Sequence, residues 1–181
     1  MERVNFFKDV RIHEACAKND DLRPSLGYIL FDGGYMYATN SHVLVRNRVE
    51  DCCTLPDDQI RMLDGKFLHW RSYKEILKRD YIVVLEDGIK CCDGDWDVMY
   101  RFGNSDCLKF PNVKKVINDV MASESCDVSK FSVNERLLAV VRKAMFPIER
   151  NISYTFRNEG KSIVCEGDCG SVAIVALILD E

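Results

Sequence analysis

Tyr28-Ile29-Leu30-Phe31-Asp32-Gly33-Gly34-Tyr35-Met36-Tyr37 alternates apolar and polar side chains up to an acid, breaks on two glycines, and alternates again. Alternation of period two is the signature of a half-buried strand, and glycine supplies the positive φ of a tight turn, so the stretch predicts a β-hairpin. The same plan returns in Ile82-Val-Val-Leu-Glu-Asp-Gly-Ile-Lys-Cys91 and in Ile152-Ser-Tyr-Thr-Phe-Arg-Asn-Glu-Gly-Lys-Ser-Ile-Val164. Before each hairpin lies a segment of helical periodicity. A helix-plus-hairpin unit used three times predicts an α+β fold of repeated units, with helices on one face of a curved antiparallel sheet.

The helical segments carry apolar and basic faces. Over residues 5–18, Phe6, Phe7, Val10 and Ala17 share a side with Glu14, and Lys8, Arg11 and Lys18 fall on another. Over 69–79, Trp70, Tyr73, Ile76 and Leu77 form the apolar side, and Arg71, Lys74 and Lys78 a basic stripe. A third helix opens at Ser132, with Glu135 three residues on in capping-box spacing; Arg136 and Lys143 share its outer side. The first hairpin's second strand is expected to continue through Ala38–Val45, with further strands near 81–86, 89–92, 96–102 and 107–110. The units group as residues 1–117 (two units), a linker over 118–130, and a third unit over 131–181.

With 181 residues, 47% of them apolar, the chain can bury a real core. Its net charge of −4 means that any contact with nucleic acid relies on a local basic surface rather than the global field. The longest apolar run, Val172–Leu179, suits a buried strand and is too short to cross a bilayer. Without a secretory pattern near Met1, the expected setting is cytoplasmic, and the nine cysteines read as free thiols. Cys52-Cys53 and Cys91-Cys92 are adjacent pairs that point to opposite strand faces, so neither a structural metal nor a cofactor is expected.

Motifs for catalysis are missing. There is no nucleophile elbow, phosphate loop or dinucleotide fingerprint, and Asp32-Gly33-Gly34 leads into a strand rather than a helix. Asp93–Asp97 begins like a calcium loop, but Val98 and Asn104 stand where that loop needs glycine and glutamate. His42 lies beside Thr39, Asn40 and Ser41, which diverge if they belong to one strand. The expectation is a protein that is not an enzyme.

In this context the run Ala38-Thr39-Asn40-Ser41-His42-Val43-Leu44 and its preceding Leu26-Gly-Tyr-Ile-Leu-Phe-Asp32 resemble the bacterial sliding-clamp family, the β subunit of DNA polymerase III. Phe110-Pro-Asn-Val-Lys-Lys-Val116 resembles that family's Phe-Pro-Asp-Tyr-Arg-Arg-Val segment, and Phe131-Ser-Val-Asn followed by helix, hairpin and Val172–Leu179 resembles its C-terminal run. The resemblance implies helices facing duplex DNA, with Lys8, Arg11, Lys18, Arg71, Lys74, Lys78, Arg136 and Lys143 as non-specific phosphate contacts. It also implies a pocket for clamp-binding peptides of replication or repair proteins. Matching positions are Leu26, Thr39, Ser41, His42 and Leu44; Pro111, Lys115 and Val116; and Ile174, Ala176, Leu177 and Ile178. Several copies could close a ring as a homo-oligomer. The chain departs from the family at Ser41, where the motif has glycine, and at Ala176-Leu177-Ile178, where it has a Met-Pro-Met-like triplet. The expected function is a sliding-clamp-like replication or repair accessory; the alternatives are a clamp-fold peptide-binding regulator or decoy that does not bind DNA, and an unrelated α+β enzyme or ligand binder.

Overall fold

A computed structural model describes residues 3–93, 96–145 and 147–177. The first hairpin forms as expected from β1 (Tyr28–Asp32) and β2 (Tyr35–Thr39), with Gly33 and Gly34 at φ 61° and 79°. Paired positive φ values at the two turn positions match the right-handed twist of the strands, and glycine adopts them without steric cost. β2 does not run on to Val45. It turns at residues 40–42 into β3 (Val43–Arg48), with Ser41 at φ 77°. The polar run explains the break: the Asn40 carboxamide oxygen accepts from the His42 and Val43 N–H groups, and the Thr39 hydroxyl accepts from the Ser41 N–H.

The chain then passes through α1 (Asp57–Met62), β4 (Phe67–His69) and α2 (Trp70–Ile76), and enters the second hairpin. That hairpin becomes a three-stranded sheet of β5 (Ile82–Leu85), β6 (Gly88–Asp93) and β7 (Trp96–Arg101). The segment 107–110 is not a strand. Next come α3 (Val113–Ala122), α4 (Glu135–Met145), and the strands β8 (Ile152–Arg157), β9 (Ser162–Gly167) and β10 (Val172–Ala176). The main sheet has seven strands in the order β4-β1-β2-β3-β10-β9-β8. Antiparallel pairing of β3 with β10 runs from Val43↔Val175 to Arg46↔Val172, so the first and last units share one sheet across the expected division.

Three helical expectations change. Residues 5–18 form no α-helix: Val4 bridges Tyr81, Phe6 bridges Cys53, and only a 3-10 turn appears at Ile12–Ala15. Phe6 is fully buried whereas Phe7 is 41% exposed, the alternation of an extended chain. Backbone bonds from the Thr54 N–H to the Asn5 carbonyl and from the Phe7 N–H to the Cys52 carbonyl, with the Asn5 N–H donating to the Thr54 hydroxyl, outcompete a weak helix propensity. α4 starts at Glu135 rather than near Ser132, because the Asn134 side chain accepts from the Arg136 N–H and caps it; the Ser132 capping box does not form. The expected linker 118–130 is helical up to Ala122, the end of α3, and beyond it Ser125 bridges Arg157.

α3 also breaks the one-faced arrangement. Ile29, Phe31, Met36, Val45, Cys165 and Ala173 point to the side covered by α2, α4 and the 3-10 turn, where Tyr73, Ile76, Val141 and Ala144 complete the main core. Their strand neighbours Tyr37, Leu44, Val164, Val172 and Ile174 point the other way and are covered by Val113 and Ile117 of α3. Burying such side chains contributes about 1.5–3 kcal/mol each. The exposed Lys114–Asp32 pair at 2.6 Å adds under about 1 kcal/mol, so apolar contact holds α3 in place.

Candidate nucleic-acid interface

The face of the sheet covered by α2, α4 and the 3-10 turn carries most of the expected cations. Lys8 and Arg11 come from the extended N-terminal segment, Lys74 and Lys78 from α2 and the turn after it. All four line one open groove of about 480 Å³, with His13, Glu14 and Leu77. Two packing facts bring these segments together. The Tyr73 hydroxyl donates to the Val10 carbonyl at 3.3 Å, and the Arg11 N–H donates to the Lys143 carbonyl at 3.0 Å, bringing the last turn of α4 to the groove. Thus a basic cluster exists, although the first helix expected to carry part of it does not.

Acids temper the cluster unevenly. Lys8 pairs with Asp80 at 3.1 Å, Lys78 with Glu75 at 2.7 Å, and Lys18 with Glu14 at 2.6 Å. Arg11 and Lys74 have no acidic partner among the described residues. Burial acts to raise the Glu14 carboxyl pKa, but the Lys18 hydrogen bond and charge, aided by Lys143, hold it below its ordinary value. His13, 3% exposed on the groove floor, is pushed down to about 4 by burial, assisted by Lys18, Lys74 and Arg11 against the pull of Glu14. It is therefore neutral near pH 7 and adds no positive charge.

The other expected cations lie around this centre. Lys18 and Arg71 both stand over the Trp70 ring, 5.6 and 5.2 Å from its centroid. Trp70 thereby orients two cations, a role that its place on the apolar side of the helical pattern did not suggest. Arg136, seven residues before Lys143 on α4, stands about 10 Å along the helix axis from it and does not line the groove.

The expected peptide pocket is divided. Leu26, Thr39, Leu44 and Ile174 are buried at 3, 7, 6 and 7% exposure, and Leu44 and Ile174 lie beneath α3. Ser41, His42, Pro111, Lys115 and Ala176 are exposed, as is Val116 at 44%. Leu177 packs against the main core, on the other side of the sheet from Leu44, and Ile178 lies outside the described residues. The apolar floor that peptide anchors would need is thus filled by Val113 and Ile117, which leaves a mostly polar rim. The Ser41 hydroxyl is itself engaged, accepting from Arg23 at 2.7 Å.

No group of three or more metal-ligating side chains occurs among the described residues, and none of their helices is long and apolar enough to cross a membrane. No disulfide joins any of the nine cysteines among the described residues.

No family model and no curated protein matches the chain. Solved structures do match its fold. The DNA polymerase III β subunit of Thermotoga maritima superposes at a TM-score of 0.59 with 10% identity, over 99% of this chain and 65% of that one. The β subunit from Pseudomonas aeruginosa gives 0.58 with 13% identity over 95% and 64%. The Helicobacter pylori β clamp bound to a DNA ligase peptide gives 0.55 with 10% identity over 100% and 67%. The fold is that of the sliding clamps, and the chain spans about 65% of the length of such a subunit.

Proposed function

We propose that this protein is a non-enzymatic, clamp-like accessory of DNA replication or repair that contacts duplex DNA without reading its sequence. The observation that carries this reading is the convergence of Lys8, Arg11, Lys74 and Lys78 from two separate segments on one groove of the face covered by α2 and α4. Contacts of this kind neutralise phosphates and release counterions, and they need no base readout. The fold supports the same direction, since it is shared with sliding clamps. Lys18, Arg71, Arg136 and Lys143 extend the contact on either side of the groove.

Reversing the two groove cations that have no acidic partner among the described residues, Arg11→Glu with Lys74→Glu, is expected to weaken binding to a random-sequence duplex by at least about tenfold. Lys115→Glu, on α3 of the far face, should leave it unchanged. Equal losses from both variants would show a general charge effect and no interface.

A second reading keeps the fold and drops the DNA: a binder of partner peptides. It is favoured by the pairing of Lys8, Lys18 and Lys78 with acids and by the net charge of −4. The clamp bound to a ligase peptide supports a partner-recruiting role under either reading.

A further inference from the structure

The seven-stranded sheet is nearly symmetric about the β3–β10 pairing. β1, β2 and β3 lead into it from one side, and β8, β9 and β10 from the other. On the first side the free edge of β1 is covered by β4, through Tyr28↔His69 to Leu30↔Phe67, and α2 follows directly. On the second side no described strand covers β8. Among the described residues only one end of its edge is met: Ser125 bridges Arg157, and the Cys126 N–H donates to the Phe156 carbonyl at 3.0 Å. Since the Phe156 carbonyl points outward, the two-residue period turns the backbone groups of Tyr154 and Ile152 outward as well.

The side chains of Ile152 and Tyr154 stand on the α4 side of the sheet. With Leu138 and Ala139 they line an open groove of about 480 Å³, flanked by Arg142 and Arg150; Glu135 is the single acid among the described lining residues. Tyr154 is 58% exposed. α4 and β8 thus form the two walls of a groove at the sheet's edge. The edge carries no proline or lysine between Ile152 and Arg157, residues that commonly protect such strands.

We propose that the β8 edge accepts an extended strand from a partner protein, one that places apolar and acidic side chains on the same face. Main-chain bonds to Ile152 and Tyr154 supply affinity. An apolar side chain over Leu138 and Ala139, with a carboxylate reaching Arg142 or Arg150, supplies selectivity. The charge of the groove, two arginines against one glutamate, selects an acidic strand. This rests on the partner-recruiting part of the function proposed above and moves it away from the surface that α3 covers.

The probe is a fluorescent peptide of repeated Thr-Leu-Thr-Asp units, which sets leucine and aspartate on one strand face; binding is read by anisotropy. Tyr154→Pro removes an outward N–H and leaves the β9 ladder at Ser153 and Thr155 intact, so binding should fall by at least about tenfold. Arg142→Glu with Arg150→Glu should do the same and serves if the proline variant fails to fold. Replacing the aspartates of the peptide by lysine should also abolish binding. The proposal is overturned if the lysine peptide binds equally well, if neither variant weakens binding, or if Tyr154→Pro instead abolishes self-association, which would make a second copy the occupant. Duplex binding by these variants should match the wild type, so loss of DNA association alone would count against the proposed function and not against this edge.

Discussion

His13 lies on the floor of the basic groove with its Nδ1 atom buried and without a hydrogen-bond partner among the described residues, its ring 5.7 Å from that of Tyr73. An unfolded histidine takes up a proton near pH 6.5, whereas the folded one does so only near 4. Between those values the unfolded chain binds more protons, so stability should fall as pH drops from 6.5 towards 4. Urea midpoints across that window should fall less steeply in His13→Gln; an identical slope in the variant would assign the effect to other groups. Glu149 makes a second residue-scale case. Fully buried, its carboxylate accepts from the Cys169 and Ser171 N–H groups at 2.8 and 3.0 Å and fixes the turn between β9 and β10. Glu149→Ala leaves both donors without this partner and should cost about 2–4 kcal/mol in a denaturant titration. Neither role was legible in the sequence. Ile148-Glu149-Arg150 fits no pattern, and a partner twenty residues away is set by tertiary packing alone. Trp70 was legible as apolar, but its hold on Lys18 and Arg71 depends on two segments meeting.

Elements with a local cause were readable. The hairpins at Gly33–Gly34 and at Asn158-Glu159-Gly160 announce themselves because positive φ needs particular residues. α2 was found nearly in place, shortened to Trp70–Ile76, because its apolar stripe is periodic and buried. The N-terminal segment misled because Phe6, Val10, Glu14 and Ala17 mimic a helical stripe, while cross-chain bridges at Val4 and Phe6 decide its conformation. The end of α3 reads as a linker because a polar, serine-rich stretch follows its last residues. Yet the spacing of Val113 and Ile117, with the Asn112 side chain accepting from the Lys115 N–H, makes a capped amphipathic helix. If α3 is a fixed part of the second core, Ile117→Ala should cost about 2–4 kcal/mol, while Val116→Ala on its exposed side should cost less than about 0.5 kcal/mol. Similar, small costs at both sites would show that α3 sits loosely on the sheet.

At the scale of the molecule, the repeat of helix and hairpin foretold the class of fold, while pairing across the first and last units did not show in sequence. Register between distant strands depends on which apolar faces meet, and β3 with β10 are separated by more than half the chain. The basic character of the face covered by α2 and α4 was legible as three cationic segments; its concentration in one groove required the Arg11–Lys143 and Tyr73–Val10 hydrogen bonds. A molecule with net charge −4 can hold DNA only if that groove focuses the positive charge locally. The most direct test is the affinity for duplex DNA measured across a range of salt concentrations, for the wild type and for Arg11→Gln with Lys74→Gln. Log affinity should fall linearly with log salt, and the variant's slope should be shallower by about two, one phosphate contact for each cation removed. A slope that the substitutions leave unchanged, or an affinity indifferent to salt, would contradict the account.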